Sequence, residues 1–130
     1  TEKVGAANLA SGLVKTIRQL EEWANEAGIK KPSIYNFAVT DGENLVTVRY
    51  VSNPQIEPIS LYFSNRGRYM YREGKFEIVQ SDSERSGIII ASERLTDDST
   101  SWTRVAPNHV VIVDSRLDVM VQLLPNVRVS

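Results

Sequence analysis

The strongest constraint on this chain is a change of apolar period at Pro32. Before it, Leu9, Leu13, Ile17, Leu20, Ala24 and Ala27 recur at three- and four-residue steps, which predicts one amphipathic helix. Asn8 is the expected N-cap, Gly28 the expected residue just past the C-terminus, and Pro32 forbids continuation. After it, apolar residues recur at every second position. Tyr35, Phe37 and Val39 share one side of Ser33–Thr40; Val46, Val48 and Tyr50 share one side of Leu45–Val51; Asp41-Gly42-Glu43-Asn44 makes the turn between them. A second hairpin is expected around Glu73-Gly74, joining Tyr69–Arg72 to Lys75–Val79. Further extended segments are Ile59–Phe63, Gly87–Ala91, Trp102–Val105, His109–Val113 and Leu117–Leu124, and Thr96–Ser101 has room for one helical turn. The unbroken run Ile88-Ile89-Ile90 predicts a strand buried on both faces.

The result is an α+β fold, one long N-terminal helix followed by about seven strands in mostly antiparallel sheets. One helix and several two-sided apolar strands expose more apolar faces than they can cover against each other, so a missing layer is expected. There is no internal repeat and no linker, and residues 1–130 read as one unit.

Composition removes several functions. Hydrophobic residues are 42% of the chain, enough for a core. Fifteen basic and 16 acidic residues leave a net charge of −1, against the basic footprint of a nucleic-acid binder or a polybasic membrane anchor. No apolar run approaches the roughly 20 residues of a membrane helix. The chain has no Cys, which excludes disulfides, thiolate metal sites and a thiol nucleophile, and fits a cytoplasmic location.

Candidate chemistry is sparse. His109, the single histidine, follows a Pro-Asn turn with no nucleophile or second ligand at a catalytic spacing, and reads as a turn or strand residue. Asp97-Asp98 and Asp82-Ser83-Glu84 lack the alternating oxygen ligands of a calcium loop and read as capping or loop carboxylates. Gly74-Lys75 is followed by Phe76 where a phosphate loop needs Ser or Thr. Arg66, Arg68 and Arg72 with Tyr69 and Tyr71 invite base stacking, but fit a hairpin with aromatics inward and arginines outward. Thr1 precedes a polar lead into a helix instead of opening a buried strand, which does not suit an N-terminal nucleophile.

Three stretches carry a family signal: Leu13–Leu20 running into Glu21-Glu22-Trp23; Asn36–Gly42 followed by Leu45–Tyr50; and Ile89–Thr96, then Trp102, then Val105-Ala106-Pro107-Asn108-His109. In this order they resemble the C-terminal portion of class II glutamine amidotransferase domains, nearest to the Dug-type glutathione-degrading subunits. The resemblance covers nearly the whole chain. It implies an αββα N-terminal-nucleophile hydrolase sandwich acting on γ-glutamyl amides of glutamine or glutathione-type substrates, with no cofactor and no metal. In that family an N-terminal Cys attacks and its own amine is the base, and an Asn-Gly pair supplies the oxyanion hole. This chain has neither Cys nor Asn-Gly. No residue is therefore assigned to catalysis. Only Ser92 and Glu93 are carried over, as residues supporting the substrate pocket; their plain alternative is a polar strand end. The expected partner is an N-terminal catalytic half, or a second subunit of peptidase type. A non-catalytic protein-interaction module derived from the same fold is the alternative.

Overall fold

The computed structural model describes residues 5–65, 67–79 and 87–126. Among them are one α-helix, α1 (Ala6–Glu26), and nine strands: β1 (Ile34–Thr40), β2 (Leu45–Val51), β3 (Tyr62–Ser64), β4 (Arg68–Arg72), β5 (Lys75–Val79), β6 (Ile89–Ala91), β7 (Thr103–Arg104), β8 (His109–Val113) and β9 (Val119–Leu123). This is the expected α+β class, with every strand pair antiparallel. Each of the nine extended segments named from the sequence overlaps one of these strands, so the rounded total of about seven is low. Thr1, Arg66 and residues 80–86, with Asp82 and Glu84 among them, lie outside the described residues. The chain divides into two compact units, one built from residues up to Ile59 and from Ala106 on, the other from Ser60–Val105.

In the first unit the helix starts three residues earlier than expected. Gly5 takes the N-cap position and makes no side-chain hydrogen bond, so Asn8 falls inside the first turn. The C-terminus is as the sequence indicates. Gly28 sits at φ +72°, its N–H donates to the Asn25 carbonyl, and the Ile29 N–H donates to the Ala24 carbonyl. This double closure needs a left-handed residue, which Gly supplies without steric cost.

The helix lies on a four-stranded sheet of order β1-β2-β8-β9. Ala10 and Ile17 are buried against Val46, Val48, Tyr50, Val110 and Leu124, with Leu9, Leu13 and Val14 packed alongside. Register confirms the alternation: Tyr35 pairs with Tyr50, Phe37 with Val48 and Val39 with Val46. The Tyr35 ring stacks on Phe37 at 4.8 Å and on Tyr50 at 5.7 Å between centroids. Such offset ring pairs add about 0.5–1.5 kcal/mol beyond the area they bury.

The reverse face of this sheet is buried too. Thr47, Arg49, Val51, Val111 and Val113 are all buried, so β2 is covered on both sides over nearly its whole length.

In the second unit β3 is flanked by β6 and β7. Leu61, Phe63, Trp102 and Val105 are its buried apolar residues. The Ile88–Ile90 run is not a central buried strand here. β6 pairs with β3 alone among the described residues, and Ile88, Ile89 and Ile90 are half-buried. The second hairpin forms as expected: Glu73 (φ 50°) and Gly74 (φ 79°) make a two-residue turn with both φ positive, which matches strand twist.

Candidate functional site

The two residues carried over by resemblance sit on the bend that follows β6. Ser92 and Glu93 are exposed, and the Ser92 carbonyl accepts a 2.7 Å hydrogen bond from the Ser60 hydroxyl. Just beyond them the chain turns back through a capped helical turn, Ser99–Ser101. Asp98 caps it, accepting from the Thr100 N–H (3.0 Å), the Thr100 hydroxyl (2.7 Å) and the Ser101 hydroxyl (2.6 Å). These donors, the Ser101 hydroxyl foremost, hold the Asp98 carboxyl below its ordinary value, because they favour the charged form. The indole N–H of buried Trp102 donates to the Thr96 hydroxyl at 2.8 Å. So the Ala-Ser-Glu-x-Leu-Thr run and its following Trp form one hydrogen-bonded corner. The Asp98 carboxylate is engaged by one backbone N–H and two hydroxyls of its own turn, as the capping reading has it.

In the first unit, the polar residue of greatest consequence is one that sequence reasoning passed over. Arg49 is 0% exposed. Its Nε donates to the Ile59 carbonyl at 2.8 Å, and Nη2 donates to the Pro58 carbonyl at 2.9 Å and to Glu57 Oε1 at 2.8 Å. Asn36 Nδ2 donates to the same Ile59 carbonyl at 3.3 Å. The guanidinium therefore ties the 57–59 segment to the sheet. A buried charge is tolerable only with this kind of full hydrogen bonding. The clue in the sequence was the pairing of a strand Arg with a Glu-Pro eight residues later, across a proline-bearing loop.

The Pro107-Asn108 turn of the Val-x-Pro-Asn motif resolves into a clamp at the same end of β2 as Arg49. Asn108 adopts φ 60°, its N–H donates to the Arg49 carbonyl (2.7 Å), and its Oδ1 accepts from the Val51 N–H (2.8 Å). The Leu124 N–H donates to the Asn108 carbonyl at 2.8 Å. His109 Nδ1 lies 2.9 Å from the Pro107 carbonyl. A carbonyl can only accept, so Nδ1 carries the proton. The ring thus serves the turn, as the sequence indicated.

The Asp41 turn is equally self-contained. Asp41 Oδ1 accepts from the backbone N–H of Glu43 (2.9 Å) and Asn44 (2.7 Å), and Oδ2 accepts from Asn44 Nδ2 (3.0 Å). The Asn44 backbone bond leads these donors in lowering the Asp41 carboxyl to about 2. Among the described residues no group of three His, Cys, Asp or Glu could hold a metal ion. No described helix is long and apolar enough to cross a membrane. Among the described residues the polar groups named above serve the local structure, and no nucleophile, base and oxyanion donor are assembled together.

No family model matches the chain, and no solved structure matches it. Among curated proteins it is similar to one described as a probable glutamine amidotransferase. That relative is the probable glutamine amidotransferase DUG3 of Saccharomyces cerevisiae, 32% identical over 114 residues. The match takes in 84% of this chain and 32% of the relative, so the chain spans about a third of that protein's length.

Proposed function

We propose that this chain is the C-terminal, structural portion of a glutamine amidotransferase-like hydrolase acting on γ-glutamyl amide bonds, and that it is inactive alone. The observation that carries this is the homology to a glutamine amidotransferase in a chain with no cysteine and no Asn-Gly pair. Its buried α1–sheet core supports the reading, since rigid elements are what hold catalytic groups in place. On this reading the nucleophile and the oxyanion donors come from the remaining part of the domain, in an αββα sandwich, and a peptidase-type subunit is the further partner. The substrate is glutamine or a glutathione-type γ-glutamyl compound, and the setting is the cytoplasm. Ser92 and Glu93, on the bend after β6, support the substrate pocket without reacting.

The test is γ-glutamyl hydrolysis by the isolated chain and by the full-length polypeptide that carries it. The expected result is turnover by the latter only, and turnover by the isolated chain overturns the proposal. In the active polypeptide, Ser92→Ala and Glu93→Gln should raise KM several-fold with kcat little changed.

A further inference from the structure

The β1–β2 turn holds the single Asp-Gly pair of the chain, Asp41-Gly42. An aspartyl residue before glycine is where a backbone is most open to attack on its own side chain. Glycine has no Cβ to hinder the approach, so its backbone nitrogen can reach the aspartyl Cγ. The N–Cγ bond forms and the Cγ–OH bond breaks. The hydroxyl leaves as water, taking the proton released from nitrogen. The resulting succinimide ring then takes up water at one of its two carbonyls. Opening at Cγ restores Asp. Opening at the main-chain carbonyl gives isoaspartate, with one extra carbon in the backbone path. Water is the one co-reactant, and Asp41, Gly42 and Glu43 are all exposed to it.

In this turn both reacting groups are occupied. The Gly42 N–H donates to Thr40 Oγ1 at 3.0 Å, and the Thr40 hydroxyl donates to the Asn44 carbonyl at 2.7 Å. The hydroxyl proton is thus committed elsewhere, and a lone pair is left for the Gly42 N–H. The Asp41 carboxylate accepts from the Glu43 and Asn44 N–H groups through Oδ1, and from Asn44 Nδ2 through Oδ2. These donors favour the charged form. A carboxylate is a poor target, because oxide instead of hydroxide would have to leave. Asn44 is buried, and the Asp41 N–H donates to its carbonyl at 3.3 Å. Ring closure requires the Gly42 N–H and the carboxyl to give up these partners together, which is an opening of the turn.

We propose that Asp41-Gly42 is a modification site, converting to isoaspartate through the succinimide when the β1–β2 turn opens, and that Thr40 and Asn44 hold it shut in the folded chain. The added backbone carbon prevents the turn from closing again on the same bonds. Thr40 pairs with Leu45 and Val39 with Val46 directly beside this turn, and Val46 belongs to the core under α1. Conversion therefore acts on strand register, which a one-residue shift would turn inside out.

Wild type, Thr40→Val, Asn44→Ala and Asn108→Ala are aged at neutral pH and body temperature, both folded and in urea. Peptide chromatography resolves isoaspartate at position 41, and uptake of heavy oxygen from labelled water reports passage through the ring. Circular dichroism on the same samples reports folding. Thr40→Val keeps the shape of the side chain, so it tests the turn even where Asn44→Ala does not fold. Conversion in folded wild type should be about tenfold or more slower than in urea, since local opening limits it. Thr40→Val and Asn44→Ala should raise the folded rate several-fold. Asn108→Ala weakens the fold away from the turn and should leave the rate near that of wild type. No conversion in urea overturns the site, and equal rates folded and in urea overturn the protection. Acceleration by Asn108→Ala as large as by Thr40→Val assigns opening to global unfolding and overturns the local gate. Slow conversion that neither turn variant changes overturns it as well.

Discussion

Two strand pairs in this molecule are built from the same kinds of residue and end in opposite environments. β2 carries Val48-Arg49-Tyr50-Val51, and its arginine and aromatic are both buried. The β4–β5 hairpin carries Tyr69, Tyr71 and Phe76 on one face, with the Phe76 ring 4.9 Å from Tyr69 and 5.0 Å from Tyr71. Yet Tyr71 is 65% and Phe76 51% exposed. The arrangement with aromatics turned inward, expected from alternation, is thus corrected: they share a face, but that face is open. Alternation tells which side chains share a face. Coverage is decided by other parts of the chain, and β2 is paired on both edges while β4 and β5 pair only with each other among the described residues. A two-stranded hairpin is marginal by itself.

This contrast can be broken by substitution. Arg49→Ala should have the largest effect, about 3 kcal/mol of lost stability from a cavity and stranded carbonyls, measured by urea denaturation. A loss under about 1 kcal/mol would mean that the buried guanidinium is not what ties the 57–59 segment down. Asn108→Ala should cost about 1–2 kcal/mol, since it removes the acceptor for the Val51 N–H and leaves a non-glycine residue at φ 60°. Acid should act at the β1–β2 turn. The Asp41 carboxyl is lowered from 3.8 to about 2 by its donors, so its contribution is complete above pH 4 and fades as pH falls toward 2. Thermal melts of wild type and Asp41→Asn across that range should converge as the pH drops; curves that stay parallel would show that the turn bonds contribute nothing. At the hairpin, Tyr71→Ser and Phe76→Ser should change global stability by less than about 0.5 kcal/mol, the range for exposed sites. A large loss there would mean that the hairpin is covered in solution.

Much of the architecture could be read from residue order. The helix end at Gly28, both hairpins and the Pro107-Asn108 turn follow from local chemistry, where one residue type satisfies one backbone requirement. Arg49 could not be read that way. Its strand alternates Val-Thr-Val-Arg-Tyr, a pattern that fits a wet reverse face equally well. Its true setting depends on the Glu57 carboxylate and the carbonyls of Pro58 and Ile59, eight to ten residues on. The same limit applies to the β6 region, where Ile88, Ile89 and Ile90 signal burial on both faces but are only half-buried. For the candidate site, the sequence pointed to Ser92 and Glu93 through resemblance alone, and the structure adds the corner that holds them: the Ser60 bond to the Ser92 carbonyl and the capped turn at Asp98.

The pairing of β2 with β8 also bears on how the chain folds. Val46 lies opposite Ile112, and Val51 reaches Asn108 across 57 residues of sequence. Helix α1 and the β1–β2 hairpin can form early from neighbouring contacts, whereas this sheet closes only once the intervening residues have been made. At about 5–20 residues per second during synthesis, that delay is on the order of 3–12 seconds. For those seconds the far edge of β2 stays unpaired, and closure of so long a loop makes the later step the slow one.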